Sequence, residues 1–250
     1  MHLFITLTPQ KELELPVHYN HLVQAAVYGT IDPELAVFLH DKGYESGSRR
    51  FKLFTFSRVS GRFEANRDKN TLRFTGDVSL TLSSPVNDFC QSIANGFLTR
   101  GQIRLGSHFA EVKAVTVRQF TVRGEKVLLR TLSPVVAYST MRRLDGRKYT
   151  CYFQPGDPDY SGLIENNLRK KYQAFFNREA PPGEVKVRKT GNLKMNLVNY
   201  KGTIIKGYSG LMELTGPTEL LQMAVDGGLG GKNAQGFGCV EMVVSGNEQF

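Results

Sequence analysis

A glycine-rich segment near the carboxyl terminus constrains the fold of this chain more than any other feature. It lies between a helix predicted at 217–225 and a strand predicted at 237–244, and half of residues 227–238 are glycine. Glycine adopts backbone angles that other residues avoid, and it lets another backbone approach closely. Amide groups in such a loop can also surround an anion and form a nest for phosphate. The segment therefore predicts a phosphate-binding loop, and a flexible loop without a ligand stays open.

The spacing of the glycines excludes the two commonest nucleotide-binding loops. A P-loop that ended at Gly231-Lys232 would need glycine at position 226, where Asp226 stands, and serine or threonine in place of Asn233. The dinucleotide fingerprint Gly-x-Gly-x-x-Gly also fails at Asn233. In both of those motifs a strand precedes the loop and a helix follows it, which is the reverse of the order predicted here. Any phosphate bound by this loop therefore belongs to another kind of ligand.

The same order of secondary structure is predicted twice along the chain. Each half is approximately strand, helix, strand, strand, helix, strand, which is the ferredoxin-like split βαβ arrangement. Strands of the first half are predicted at 3–7, 51–58, 72–80 and 112–122. Strands of the second half are predicted at 126–132, 184–188, 203–214 and 237–244. We therefore predict an α+β fold with two tandem ferredoxin-like (RRM-like) domains, at residues 1–123 and 124–250, which suits the usual domain size.

The charge balance favours an anionic partner. The chain has 32 lysine and arginine residues against 23 aspartate and glutamate residues, a formal net charge of +9. Nucleic acid is the commonest partner of such a chain, and ordinary surface charge is the alternative. Cys90, Cys151 and Cys239 are far apart and have no metal-binding spacing, so we expect no metal, no cofactor and a reducing compartment. With no signal-like segment and no long apolar run, the chain is expected to be cytoplasmic and to make no membrane contact.

Several sequence stretches together carry a family resemblance. Gly228-Leu229-Gly230, five residues and then Gly236-Phe237-Gly238 precede the final strand, and stretches 19–28, 38–41 and 51–57 precede them in the first half. In this order they resemble the CRISPR-associated repeat-processing endoribonucleases of the repeat-associated (RAMP) superfamily, especially the archaeal-type stand-alone member. The resemblance covers the whole chain. It implies metal-independent cleavage of CRISPR repeat RNA in precursor transcripts, which releases guide RNAs.

The implied reaction begins with attack of a ribose 2′-OH on the adjacent phosphorus. It leaves a 2′,3′-cyclic phosphate (or 3′-phosphate) and a 5′-OH, and it needs a base, an acid and a cation. The positions that match the family are Tyr28, His40 and Lys52. His40 would carry protons, since histidine titrates near neutral pH. Tyr28 would orient or deprotonate the 2′-OH, Lys52 would face the phosphoryl charge, and which of Tyr28 and His40 is the base stays open.

Other residues are candidates for holding RNA. Lys186 and Arg188 lie on one face of a predicted strand, and contacts to phosphate position RNA without reading its bases. The candidates for RNA binding are Arg49, Arg50, Lys186, Arg188, Lys194, Gly228, Gly230, Lys232, Gly236 and Gly238. For any single lysine a solvated surface is the alternative.

The sequence leaves two other functions open. One is a non-catalytic subunit of the same superfamily, which would hold guide RNA inside an interference complex and would have no use for Tyr28, His40 and Lys52. The other is a small-molecule enzyme that binds a phosphorylated metabolite at the glycine loop, which would not explain the basic excess. The repeat sequence, its folding as a hairpin or single strand, homodimer formation and transfer of the product to an interference complex also stay open.

Overall fold

The computed structural model describes residues 1–143 and 145–243. The first half of the chain forms a seven-stranded antiparallel sheet, a separate two-stranded hairpin and the helices that cover the sheet. Its strands are β1 (His2–Pro9), β2 (Leu13–Pro16), β3 (Tyr44–Ser46), β4 (Arg49–Phe51), β5 (Thr55–Phe56), β6 (Ser60–Asn66), β7 (Thr71–Ser83), β8 (Gln102–Leu105) and β9 (His108–Arg118). Its helices are α1 (Asn20–Thr30), α2 (Pro33–Val37) and α3 (Asn87–Arg100). A π-helical turn, Phe38–Lys42, continues α2 without a break.

The second half forms a separate four-stranded sheet and a two-stranded hairpin. Its strands are β10 (Lys126–Thr131), β11 (Ala137–Arg142), β12 (Lys148–Phe153), β13 (Lys186–Tyr200), β14 (Thr203–Thr215) and β15 (Val240–Met242). Its helices are α4 (Tyr160–Phe176) and α5 (Thr218–Gly227), and a short 3-10 turn, Asn233–Gln235, lies inside the glycine-rich loop.

The strand order in both sheets is ferredoxin-like. In the first sheet β1 lies between β7 and β9, with β5 and β6 beyond β7; in the second, the order is β13-β14-β10-β15. Every named pairing is antiparallel, and each half contributes two helices in the positions that the split βαβ arrangement requires. The fold is therefore α+β with tandem ferredoxin-like halves, as predicted.

Each half buries its own core between sheet and helices. Helix α3 turns Phe89, Cys90, Ile93 and Phe97 inward at helical spacing, against a first sheet whose strands contribute alternate residues. The second core is built in the same way from β10, β14, α4 and α5. These two packed halves fix the positions of the loops between them. Among the described residues, no helix has both the length and the apolar composition needed to cross a bilayer.

Three strand predictions need correction. The strand predicted at 51–58 is two short strands, β4 and β5, because Leu53 between them has a φ of +51°, a left-handed angle that interrupts a strand. The strand predicted at 184–188 continues to Tyr200 as β13, where it forms a long hairpin with β14. The final strand begins only at Val240, since Gly238 has a φ of +70°, and the predicted end at residue 244 lies outside the described residues. The hairpin β11–β12 was not predicted.

Candidate active site

A cleft of about 1020 Å³ lies between the two halves. The first half contributes α1, the π-helical turn and the segment from β4 to Phe54, and the second contributes β11, α4, the β13–β14 turn and the glycine-rich loop. Tyr28, His40 and Lys52 all line this cleft, although they come from three different elements. The structure therefore brings the three predicted catalytic side chains to one place.

Tyr28 is held by aromatic packing near the end of α1. Its ring makes edge-to-face contacts with Phe54, at 5.8 Å between centroids, and with His40, at 6.4 Å. Burial, and to a lesser degree the neighbouring Tyr200, raises the pKa of Tyr28 to about 12. The phenol thus stays protonated at neutral pH, so Tyr28 is suited to donating or orienting a hydrogen bond and is a poor base.

His40 is the most accessible of the three side chains, at 80% exposed. Asp32 caps α2 by accepting from the amides of Glu34 and Leu35, and the π-helical turn then carries His40 outward before it ends at Gly43. The Nδ1 of His40 lies 2.7 Å from a carboxylate oxygen of Asp41. An Nδ1–H bonded to that carboxylate leaves Nε2 free for proton transfer with a ligand.

Lys52 is fixed by the backbone on both sides of it. Its ammonium donates to the carbonyl oxygen of His40 at 2.7 Å, and the left-handed Leu53 follows directly. A bulky residue with that φ is costly unless the surroundings enforce it, and such residues are concentrated at functional sites. Burial, and then the nearby Arg50, lowers the pKa of Lys52, while Asp41 acts in the opposite direction. The hydrogen bond to the carbonyl of His40 thus holds the Lys52 ammonium beside His40.

One face of α1 holds the glycine-rich loop in place. The amide nitrogen of Asn20 donates to the carbonyls of Gln235 (2.9 Å) and Gly236 (3.2 Å), and that of Gln24 donates to the carbonyl of Ala234 at 2.7 Å. Asn20, Gln24 and Tyr28 are spaced four residues apart, so they share one side of the helix. The same helix face therefore positions both Tyr28 and the loop across the cleft.

A buried lysine on α4 holds the loop from the other side. Lys171 is 1% exposed, and its ammonium donates to the carbonyls of Gly227 (3.3 Å), Gly228 (2.6 Å) and Gly230 (3.0 Å). Burial lowers the pKa of Lys171 to about 7, while three carbonyl acceptors favour the ammonium form. The ammonium thus satisfies carbonyls at the end of α5 that would otherwise be buried without a donor.

The four glycines predicted to contact RNA are buried in the loop, and their RNA contacts stay predictions. A side chain on Gly230 would lie 2.5 Å from the carbonyl oxygen of Val136, and one on Gly236 or Gly238 would collide with Phe56 or with the carbonyl of Leu229. Gly228 has a φ of +80° and is packed against the Asn233 amide. Gly228, Gly230, Gly236 and Gly238 thus have a packing role, and the part of the loop that lines the cleft is 231–235.

Lys232 is presented to the cleft at the tip of this loop. It has a left-handed φ of +61°, and its ammonium lies 5.1 Å from the centroid of the Tyr138 ring, a cation–π contact. Burial lowers the pKa of Lys232. Arg49 and Arg50 line the opposite wall, where Arg50 also pairs with Glu45 at 3.0 Å. The cleft therefore carries cations on both walls.

The other basic candidates do not reach the cleft. Lys186 lies 3.3 Å from Glu184 and Arg188 lies 3.4 Å from Glu213, so both pair with carboxylates near the start of β13. Lys194 is exposed farther along the same strand. These three residues line no part of the cleft, and their predicted RNA contacts stay predictions for a separate surface.

Sequence reasoning missed several residues that shape the cleft. The most prominent are Asn167 and Lys171, which are buried on α4 beside Ile164, Leu168 and Tyr172. This spacing places two polar residues on the apolar face of an amphipathic helix, which was a detectable signal. Other missed residues that line the cleft or hold its loop are Asn20, Gln24, Tyr138 and Tyr200.

The tandem ferredoxin-like halves, with the glycine-rich loop held against the first helix, agree with the family resemblance of the sequence. The family described as "CRISPR associated protein Cas6, C-terminal" matches residues 116–242, and "CRISPR-associated protein Cas6, N-terminal" matches residues 14–116. The chain belongs to the Cas6 family.

Known relatives match over nearly the whole chain. The "CRISPR-associated endoribonuclease Cas6 1" of Methanocaldococcus jannaschii is 28% identical, over 94% of this chain and 90% of that protein. The "CRISPR-associated endoribonuclease Cas6" of Pyrococcus furiosus is 26% identical, over 99% of this chain and 91% of that protein. A solved structure of a "CRISPR associated protein Cas6" superposes with a TM-score of 0.78 at 25% identity, and covers 98% of this chain and 99% of that one.

Proposed function

We propose that this chain is an endoribonuclease that cleaves CRISPR repeat RNA in precursor transcripts and so produces guide RNAs. The observation that carries the proposal is the meeting of Tyr28, His40 and Lys52 in one cationic cleft, in a chain whose relatives are named CRISPR-associated endoribonucleases. Nucleases that use side chains alone need proton carriers and a cation within reach of one phosphate. The three residues supply those groups.

In the proposed reaction, the ribose 2′-oxygen attacks the adjacent phosphorus and loses its proton to solvent. The bond from phosphorus to the 5′-oxygen of the next nucleotide breaks, and that oxygen takes a proton from Nε2 of His40. The products are a 2′,3′-cyclic phosphate (or 3′-phosphate after hydrolysis) and a 5′-OH. Asp41 supports the protonated imidazole through Nδ1, at 2.7 Å.

Tyr28 and Lys52 complete the proposed site without transferring the critical proton. Because the pKa of Tyr28 is raised to about 12, its hydroxyl is assigned to orienting the 2′-OH. Lys52, tied to the carbonyl of His40, is assigned to the charge that grows on the phosphoryl oxygens. The sequence left open which of Tyr28 and His40 is the base. We propose that neither residue acts as the base and that His40 is the acid.

The donor set favours chemistry that needs no metal ion. Catalytic Mg²⁺ in phosphoryl transfer is held by carboxylates, and the described residues that line this cleft include no aspartate or glutamate. Lys52, Arg49, Arg50, Lys201 and Lys232 supply positive charge there instead. The alternative of a non-catalytic RNA-holding subunit is less favoured, because such a subunit gains nothing from an exposed histidine beside a half-buried tyrosine. Homodimer formation and transfer of the product to an interference complex are separate questions that the proposed reaction does not require.

The proposal is tested by mapping the ends of the products. Purified protein is incubated with CRISPR repeat RNA from its own genome, and the products are analysed for 5′-OH and 2′,3′-cyclic phosphate ends. We expect one cut per repeat with these ends. Products with 5′-phosphate and 3′-OH ends would contradict the proposed chemistry, and tight binding without a cut would favour the non-catalytic subunit.

A further inference from the structure

Asn167 has a buried side-chain oxygen that accepts no hydrogen bond from any described residue. The side chain lies on α4 and lines the cleft, and the residue is 8% exposed. Its Oδ1 is buried and accepts no hydrogen bond from the part of the chain that the structure describes. Buried polar atoms in proteins nearly always have a partner, so an orphaned acceptor in the wall of a cleft indicates a missing ligand or water.

The neighbouring groups cannot satisfy this amide. Lys171 lies one helical turn farther along α4, on the same buried side of the helix. An ammonium has three donors, and those of Lys171 already have the carbonyls of Gly227, Gly228 and Gly230 as acceptors. The amide of Gly231, where the loop enters the cleft, donates to the carbonyl of Val136. The Oδ1 of Asn167 therefore has no donor among the described residues, although the residue borders the cleft.

The chemistry of the amide narrows the class of ligand. An orphaned acceptor needs a donor, which the phosphate groups of RNA do not offer at neutral pH. The donors in RNA are the N–H and amino groups on base edges and the ribose 2′-OH. An asparagine amide presents one acceptor and two donors in one plane. This pattern is complementary to the donors and acceptors on the edge of a base, whereas a ribose hydroxyl needs only one hydrogen-bond partner. The cleft also has an aromatic wall, Tyr138, where Lys232 supplies charge.

We propose that Asn167 is a base-recognition residue, which reads the edge of one nucleotide of the bound repeat while the cations of the cleft hold its backbone. This inference rests on the proposed function, because it takes the ligand to be the RNA that the cleft cleaves. It adds sequence selectivity at one nucleotide position to a site whose other contacts are to phosphate. Contacts of the latter kind position RNA and carry no sequence information.

The test compares cleavage of a panel of repeat RNAs in which each nucleotide near the cut is replaced in turn by the other three. We expect the native protein to lose about tenfold or more in kcat/KM at one position, in line with one good amide–base contact. In Asn167→Ala this preference should disappear at that position alone, and the other positions should keep theirs. Asn95→Ala is the matched control, since Asn95 is an exposed asparagine inside α3 and does not line the cleft.

Two further measurements separate base recognition from a purely structural role and from ribose recognition. Because no described residue bonds to Oδ1 of Asn167, the alanine variant should unfold at the temperature of the native protein; a purely structural asparagine would lower that temperature. A parallel panel with single 2′-deoxy substitutions tests the ribose alternative. Asn167→Ser, which is too short to reach a base, replaces the alanine variant if that one does not fold.

Each outcome decides the question. Unchanged base preference in Asn167→Ala, an equal loss for every RNA, or sensitivity to one 2′-deoxy substitution that disappears in the variant would each overturn base recognition while leaving the proposed nuclease intact. If the native protein cleaves none of the RNAs, the proposed function itself fails, and the inference fails with it.

Discussion

The two walls of the cleft are built in different ways. The wall from the first half carries the three proposed catalytic side chains, and one of them, His40, is 80% exposed on a π-helical turn. On the wall from the second half, Lys171 and glycines that admit no side chain fix a buried backbone, and the loop that it forms presents Lys232 to the cleft. Changes to the exposed side chains of the first wall should therefore lower the cleavage rate with little effect on the free energy of unfolding. Changes to the residues that fix the loop on the second wall should lower the free energy of unfolding and the affinity for RNA.

The largest effect is expected on the exposed wall. His40→Ala should lower the single-turnover cleavage rate by about 10²–10⁴-fold, which is the usual contribution of a general acid. RNA affinity and the free energy of unfolding should change little, because the imidazole is exposed. His18→Ala, at a half-buried histidine outside the cleft, is the control for loss of a histidine. Equal cleavage by His40→Ala and the native protein would remove His40 from the reaction.

The next effect is expected at the buried lysine. Lys171→Met keeps the apolar stem but leaves up to three buried carbonyls without a donor, so the free energy of unfolding should fall by about 3 kcal/mol. Chemical denaturation measures this change, with Lys170→Met as the matched control on the same helix. Stability equal to that of Lys170→Met would mean that the loop does not depend on this ammonium.

A pH effect of similar size is expected where the halves meet. Burial lowers the pKa of His2 to about 4, against the partial opposing effect of Asp226, while an unfolded histidine has a pKa of about 6.5. Between these values the unfolded state binds more protons than the folded state. Stability is therefore full above pH 6.5 and falls as the pH drops towards 4, by up to about 3 kcal/mol. Urea unfolding at several pH values should show this loss in the native protein and a smaller one in His2→Leu.

A smaller loss in the free energy of unfolding is expected from substitution of a glycine in the buried loop. Gly238→Ala places a methyl group against the carbonyl of Leu229 at a left-handed φ of +70°, so it should lower the free energy of unfolding by about 2 kcal/mol or more. Gly202→Ala is the control, because Gly202 also has a positive φ, +84°, but has open space around it. If the two variants lose the same stability, the positive φ alone explains the need for glycine at position 238, and close packing contributes nothing.

The smallest effect separates cleft cations from other surface charge. Lys232→Gln should weaken RNA binding and flatten its dependence on salt by about 0.7 in the logarithmic slope, the value for one phosphate contact on a single strand. Lys186→Gln should leave the slope unchanged if the cleft is where RNA binds, because Lys186 pairs with Glu184 outside it. A flatter slope for Lys186→Gln would instead favour the surface predicted from the sequence.

The sequence predicted the fold better than it predicted the second wall. The repeated order of predicted strands and helices indicated the tandem ferredoxin-like fold, because the signals for single elements are local in the sequence. Lys52 was expected in a strand because nothing local announces that the buried Leu53 takes a left-handed angle; tertiary packing enforces it. The glycine loop was expected to bind phosphate, and the sequence could not show that Phe56, Val136 and Lys171 pack against it.

The most direct test of the proposed chemistry is cleavage of end-labelled repeat RNA in EDTA, beside an RNA with deoxyribose at the nucleotide before the cut. We expect the all-ribose RNA to be cut once and the substituted RNA to remain intact at that position while it binds equally well. Cleavage of the deoxy-substituted RNA at the same bond, or a requirement for added metal ion, would contradict attack by the 2′-OH under the control of Tyr28, His40 and Lys52.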